Sequence, residues 1–308
     1  AAAGDLHGPD PARHHPGVGR DYGEDLVAFL ELTKPRITQL VLVTAAAGFY
    51  LGARGGVDLW LLAHTLIGTA LVAAGTNAWN QIRERDVDAL MRRTQRRPLP
   101  SGRLTPRAAA WFASAITVGG VAYLAVTVNL LTAGLAALTF VSYVCLYTPL
   151  KRTTSLNTLI GAVPGALPIV GGWTAAGGNL GAGVAALFGI LFLWQLPHFL
   201  AIAWLYRDDY RAGGLQMLGG GDEGGRDTGR MVLLYATALL PISLLPTLLG
   251  VTGSTYFFGA LGLGLVYAAV GATLLTAATA ARAWRVFFVS IVYLPALLTL
   301  MVLDKVAA

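Results

Sequence analysis

Charged side chains are scarce in this sequence, and cysteine is almost absent. Only 12% of the 308 residues are Asp, Glu, Lys or Arg, about half of the roughly 25% that a soluble domain carries. So few charges exclude an ordinary water-facing surface. The single cysteine, Cys145, excludes a disulfide within one chain and leaves the redox compartment open. Residues 1 to about 25 lack any apolar run and are rich in Gly, Pro, His and Asp, so a disordered leader is expected there, not a signal peptide. Asp5, Asp10, Asp21, Glu24 and Asp25 are too acidic a set for a mitochondrial presequence. A bacterial plasma membrane is the expected location.

What the chain has instead is apolar length. Mean hydropathy is +0.62 and 55% of residues are apolar. A bilayer core of about 30 Å needs about 20 such residues per helical span, and nine runs qualify: 37–54, 59–80, 107–126, 130–148, 156–175, 181–204, 231–251, 254–280 and 284–303. Irregular backbone facing lipid would leave peptide groups unpaired, so the expected fold is an all-α polytopic membrane protein of nine transmembrane helices. Residues 26–308 then form one membrane domain.

With nine spans, the N-terminus and the even-numbered connections share one side and hold every Lys and Arg except Arg54 and Lys305. That side is expected to be cytoplasmic and the C-terminus external. The net charge of +6 follows mostly from this topology and does not point to nucleic acid.

Two of the basic connections also concentrate acids. In NAWNQIRERDVDALMRRTQRRPLPSGRLTP, Asn77 to Pro106, a helix running past Gln81 would carry Asn80, Glu84 and Asp88 on one face, every fourth residue. Asp86 points elsewhere on a helix, but at a fraying end it would swing in. Carboxylate and amide oxygens in such an array suit Mg²⁺, which keeps phosphate among its remaining ligands. Arg92, Arg93, Arg96 and Arg97 follow, with the planar fork that phosphate and carboxylate accept. The second acidic connection places Asp208 and Asp209 just after the sixth span, where they would hold a second metal. His198 lies deeper in that span. Lys151 and Arg152 occupy a very short turn before Asn157 and would clamp an anion. Pro164 and Pro168 should kink the fifth span, as is tolerated where a helix lines a cavity.

These residues carry a resemblance. The array N-x-x-x-E-x-D-x-D from Asn80 to Asp88 resembles the first acidic motif of the UbiA superfamily of intramembrane prenyltransferases. DVDALMRRTQRRPLPSGRL is similar to the motif of its protohaem IX farnesyltransferase branch, and LTKPRI, YTPLKRTTSLN and WQLPHF agree in order. Two features depart from the pattern: Glu84 stands where many members have Asp, and His198 where the superfamily commonly has an acid.

The resemblance implies a helical bundle around a central cavity, with farnesyl diphosphate and haem B as substrates and haem O as product. It also implies Mg²⁺ held by Asn80, Glu84, Asp86, Asp88, Asp208 and Asp209. Lys151 would assist catalysis, and Arg92, Arg93, Arg96, Arg97, Arg152, Asn157 and His198 would contact substrate. A haem A synthase or terminal oxidase assembly factors are the implied protein partners. The competing expectations are a quinone-precursor or chlorophyllide prenyltransferase, sharing the acids, and a transporter, which should show repeated broken helices.

Overall fold

The computed structural model describes residues 22–219, 222 and 224–306, and among these it is helical throughout with no strand. The long helices are α2 (Pro35–Gly52), α3 (Leu59–Asp88), α4 (Pro106–Thr127), α5 (Leu130–Leu150), α6 (Asn157–Ala175), α7 (Ala182–Leu205), α9 (Arg226–Leu248), α10 (Ser254–Thr276) and α11 (Ala280–Leu303). Two short helices, α1 (Tyr22–Leu32) and α8 (Arg207–Ala212), lie outside the bundle's span.

Eight of the nine long helices are apolar and long enough to cross a membrane. The ninth, α2, opens with Pro35, Arg36 and Gln39 and falls short of the apolar length of the others, yet it packs inside the bundle against α6. The expected count of nine is therefore eight clear spans plus this more polar one. The leader expectation needs a correction at its end. Residues 1–21 lie outside the described residues, but α1 begins at Tyr22, and Ala28 and Leu32 are buried with Ala78, Leu99 and Ala109. Glu24 and Asp25 sit in its first turn, where the helix dipole favours acids.

Local chemistry sets the helix ends. Asp58 Oδ1 accepts from the backbone of Trp60 (2.9 Å) and Leu61 (3.0 Å), starting α3. Thr105 caps α4 ahead of Pro106, and Asn129 caps α5. The 30 residues of α3 extend about 45 Å at 1.5 Å per residue, well beyond a 30 Å core. Its last turns, carrying Asn80 to Asp88, therefore reach the polar end of the bundle.

Exposed side chains such as Trp60, Val126 and Leu130 belong to the outward faces and need lipid as their solvent. Inside, α6 is the most enclosed span. It meets α2 backbone to backbone: a Cβ on Gly48 would strike the carbonyl of Ile169, and one on Gly172 the carbonyl of Ala45. Small residues are what permit such an approach in a membrane, where apolar burial gives helices little reason to associate. A second core joins α7, α9, α10 and α11 through Leu187, Leu239, Tyr267 and Leu297.

Candidate active site

The acidic end of α3 packs against the end of α5 and the α1–α2 turn, and this meeting builds the site. The four-residue spacing holds. Asn80, Glu84 and Asp88 are all buried on one face, whereas Asp86 is exposed and bonds Arg152 (3.0 Å). Asp86 is thus not brought into the array, because its place on the helix points it away.

Each buried oxygen donor faces a cation. Lys34 Nζ donates to Asn80 Oδ1 (3.0 Å), whose amide in turn donates to Thr148 Oγ1 (3.2 Å). Lys151 Nζ donates to Glu84 Oε1 (2.7 Å). Arg97 Nη1 reaches both oxygens of Asp88, at 2.9 and 2.7 Å. Charges taken out of water are tolerated only with such partners. Lys151 was expected on an anionic substrate; the structure shows that it also neutralises Glu84. Burial opposes its charge, but Glu84 beside it holds the Lys151 ammonium well above its usual range. Burial, aided by Arg97, pushes the Lys34 ammonium down to about 7.

Lys34 escaped the residue-by-residue reading of the sequence, although LTKPRI contains it. It is the one non-glycine residue with positive φ (47°) among the described residues. The following Pro35 disfavours the ordinary helical region for it, and such backbone is kept where the surroundings over-determine it. Tyr147 was missed too. In α5 the stretch Ser142–Tyr147 is a π-turn in which the Thr148 N–H bonds the Tyr143 carbonyl, and Pro149 follows without an N–H to give. Tyr147 lies one α-turn before Lys151, whose Nζ is 4.5 Å from the ring centroid, and its ring sits beside Tyr143 at 5.0 Å. The four-residue step from Tyr147 to Lys151 was the available signal.

The other expected residues divide. Arg92, Arg93 and Arg96 are exposed around the rim, and Arg93 lies over the rings of Tyr206 (5.2 Å) and Tyr210 (5.9 Å). Asn157 donates to the carbonyls of Thr154 and Gln216, both at 2.5 Å, tying the α5–α6 turn to the loop after α8, and its buried Oδ1 has no partner among the described residues. Asp208 is exposed, and Asp209 accepts the Arg93 backbone N–H (3.3 Å).

His198 lies on another side of the bundle, against α11. Its Nδ1 is 2.7 Å from Ser290 Oγ, and its ring stacks on Trp194 and Phe287 with centroids 5.7 and 5.0 Å apart. Ser290 gives its own proton to the Phe287 carbonyl, so Nδ1 must be the donor and Nε2 keeps its lone pair.

The fit to Mg²⁺ follows from the donor set. Among the described residues no three His, Cys, Asp or Glu side chains converge as a closed cage. Two carboxylates and one amide oxygen do share a face, and cationic nitrogens already sit against them. Mg²⁺ typically takes one or two carboxylates and completes its shell with water and substrate phosphate. The residues fit that open kind of site.

A buried acidic face opposed by lysine and arginine, at the polar end of a membrane bundle, is the arrangement that suits an intramembrane site for an anion. The chain belongs to the UbiA prenyltransferase family, whose model matches residues 41–292. Among curated proteins it is 46% identical over 286 residues to the protoheme IX farnesyltransferase of Solibacter usitatus, covering 90% of this chain and 98% of that one. It is 44% identical to the protein of that name from Koribacter versatilis over 94% and 96% of the two chains. Among solved structures, a digeranylgeranylglyceryl phosphate synthase superposes with TM-score 0.77 at 17% identity, covering 91% of this chain and 98% of the other. A UbiA homolog from Archaeoglobus fulgidus, bound to GPP and Mg²⁺, gives 0.68 at 16% identity, covering 89% and 99%. These two likenesses establish the fold. The chain is thus a multi-pass membrane prenyltransferase.

Proposed function

We propose that this chain transfers the farnesyl group of farnesyl diphosphate to a vinyl group of haem B, with addition of water, giving haem O and diphosphate. The observation that carries the reading is the face of Asn80, Glu84 and Asp88 set against Lys34, Lys151 and Arg97 at the polar end of the bundle. The names of the relatives support haem B as acceptor.

The allylic carbon–oxygen bond breaks with its electron pair leaving on diphosphate. The terminal vinyl carbon of haem then bonds to the allylic carbon, and the cation left beside the ring is quenched by water, which gives up a proton. Lys34, Lys151 and Arg97 neutralise the leaving diphosphate. Tyr143 and Tyr147, 5.0 Å apart and beside Lys151, would favour positive charge developing next to their rings. Burial around them keeps water off the allylic cation until the vinyl carbon has reacted. Mg²⁺, when bound, supplies charge stabilisation to the diphosphate oxygens, and Asn80, Glu84 and Asp88 would hold it, while Asp208 and Asp209 of α8 would hold a second ion.

Arg92, Arg93 and Arg96 on the rim suit haem propionates, and Arg152 and Asn157 belong to the diphosphate side. His198, set against Ser290 of α11 away from the acids, belongs to the haem side. We place the single domain, residues 26–308, in a bacterial plasma membrane. The acidic connections and N-terminus are cytoplasmic and the C-terminus external, and haem O passes to a haem A synthase or oxidase assembly factor. The test is purified protein with haem B, farnesyl diphosphate and Mg²⁺, the pigment being read by mass. A farnesyl-plus-water adduct is expected; unmodified haem in the presence of a prenylated quinone precursor would overturn the reading.

A further inference from the structure

The short helix α1 carries large apolar side chains that the described residues leave half open or more. At 11 residues it spans about 16 Å, too short to cross a core of about 30 Å, yet Leu26, Val27 and Leu30 are 62%, 52% and 53% exposed. A helix turns about 100° per residue, so these three share one sector about 100° wide. A second sector is packed. Ala28 and Leu32 join Ala78 of α3 and Ala109 and Ala113 of α4 in one buried cluster, and Phe29 meets Phe112 with ring centroids 5.0 Å apart. Asp25, half-buried in the first turn, shares that side. Glu24 and Glu31 fall together between the two sectors and are exposed. Arg103 Nη1 and Nη2 hold Glu31 at 2.9 and 2.5 Å. The helix thus has one side for protein, one for water, and one that is apolar and open.

The level of α1 along the bundle follows from its neighbours. Ala109 and Ala113 lie about 5 and 10 Å from the start of α4 at 1.5 Å per residue, so α1 runs beside the first turns of α4 and not beyond its end. On those turns Trp111 is exposed, and tryptophan is enriched where a bilayer meets water. After α1 the chain enters α2 with Arg36, Ile37 and Leu40 exposed. An arginine at such a level covers apolar surface with its stem and keeps its charge among headgroups. The open side of α1 therefore stands level with outward residues of both α4 and α2. Its polar side is acidic, so apolar burial, and not attraction to anionic lipid, has to hold it there.

We propose that α1 is an interfacial membrane-binding helix: Leu26, Val27 and Leu30 enter the boundary between headgroups and acyl chains, while Glu24 and Glu31 stay in water. The partner of this surface is bilayer lipid. The contact also fixes a depth for the site. Gln81 and Asn77 of α3 donate to the carbonyls of Leu32 and Thr33 (2.9 and 3.3 Å), and Lys34 just beyond reaches Asn80 (3.0 Å). The ionic cluster then lies at headgroup level, where the anionic head of a membrane-dissolved amphiphile resides. The inference stands apart from the transfer reaction proposed above.

The test places nitroxide labels on the full chain in vesicles of phosphatidylcholine and phosphatidylglycerol. Collisions are measured with oxygen, which concentrates in lipid, and with a nickel chelate, which stays in water. The one native thiol is removed as Cys145→Ala, and single cysteines are introduced as Leu26→Cys, Val27→Cys and Leu30→Cys, with Glu24→Cys as the water reference and Val43→Cys, on the exposed face of α2, as the lipid reference. Labels at Leu26, Val27 and Leu30 should favour oxygen over nickel severalfold relative to Glu24, approaching Val43. Labels that meet nickel as freely as Glu24 would overturn the proposal. Labels shielded from both reagents would overturn it too, because protein and not lipid would then cover the face. If one substitution prevents folding, the other two positions decide.

Discussion

The Lys151–Glu84 pair allows stability and catalysis to be separated. Both side chains are nearly enclosed, with 12% and 8% of their surfaces exposed, and 2.7 Å separates the charged atoms. Replacing Lys151 with Met leaves the Glu84 carboxylate in a poorly solvated place. Removing one partner of a buried pair costs about 3 to 5 kcal/mol, and the lower end applies here because Lys34 also acts electrostatically on Glu84. Replacing both, as Lys151→Met with Glu84→Gln, removes the stranded charge and should recover most of that loss. The transfer reaction should not recover with it, because neither the cation nor the carboxylate remains. A hundredfold fall in turnover corresponds to about 2.7 kcal/mol of barrier, and at least that is expected in the double variant. Thermal unfolding in detergent and haem O production, measured on the same preparations, give the two readings. If the double variant is no more stable than Lys151→Met, the pair is not a coupled buried unit. If it makes haem O at the wild-type rate, the assignment of both residues is wrong.

Asp88→Ala, or an excess of chelator, should lower turnover by at least about a hundredfold, and wild-type activity under either condition would remove Mg²⁺ from the site. Ser290→Ala frees the His198 ring without touching the acidic cluster, so it should alter the haem absorption band and haem affinity while leaving the KM for farnesyl diphosphate near wild type; the reverse pattern would put His198 with the diphosphate. Gly48→Leu should abolish folding of the bundle, since its side chain meets the Ile169 carbonyl of α6; a stable, active variant would show that the close α2–α6 approach is wrong. Reporter fusions before α1 and after Leu303 should lie on opposite sides of the membrane, and finding both on one side would exclude nine crossings.

Composition alone determined the solvent, because a chain with so few charges and so many apolar runs can satisfy its backbone in lipid only as helices. Periodicity determined the acidic face: Asn80, Glu84 and Asp88 are neighbours along one helix, so their convergence needs no tertiary information. By the same logic Asp86 was legible as pointing away. Distance in sequence hid the rest. Lys34 meets Asn80 across 46 residues and Lys151 meets Glu84 across 67, pairings made by the docking of α3 against the α1–α2 turn and α5. A π-turn set how Tyr147 lies relative to Tyr143, and no pattern of apolar residues encodes its one-residue slip. The helical start of α1 at Tyr22 was obscured by the polar stretch before it, since its stability comes from burying Ala28 and Leu32 against α3 and α4. His198 was visible as a polar residue at membrane depth, but only packing assigned it to Ser290 and α11. Which groups stand opposite a buried charge is decided by how the helices pack, because an unpaired charge there is too costly to keep.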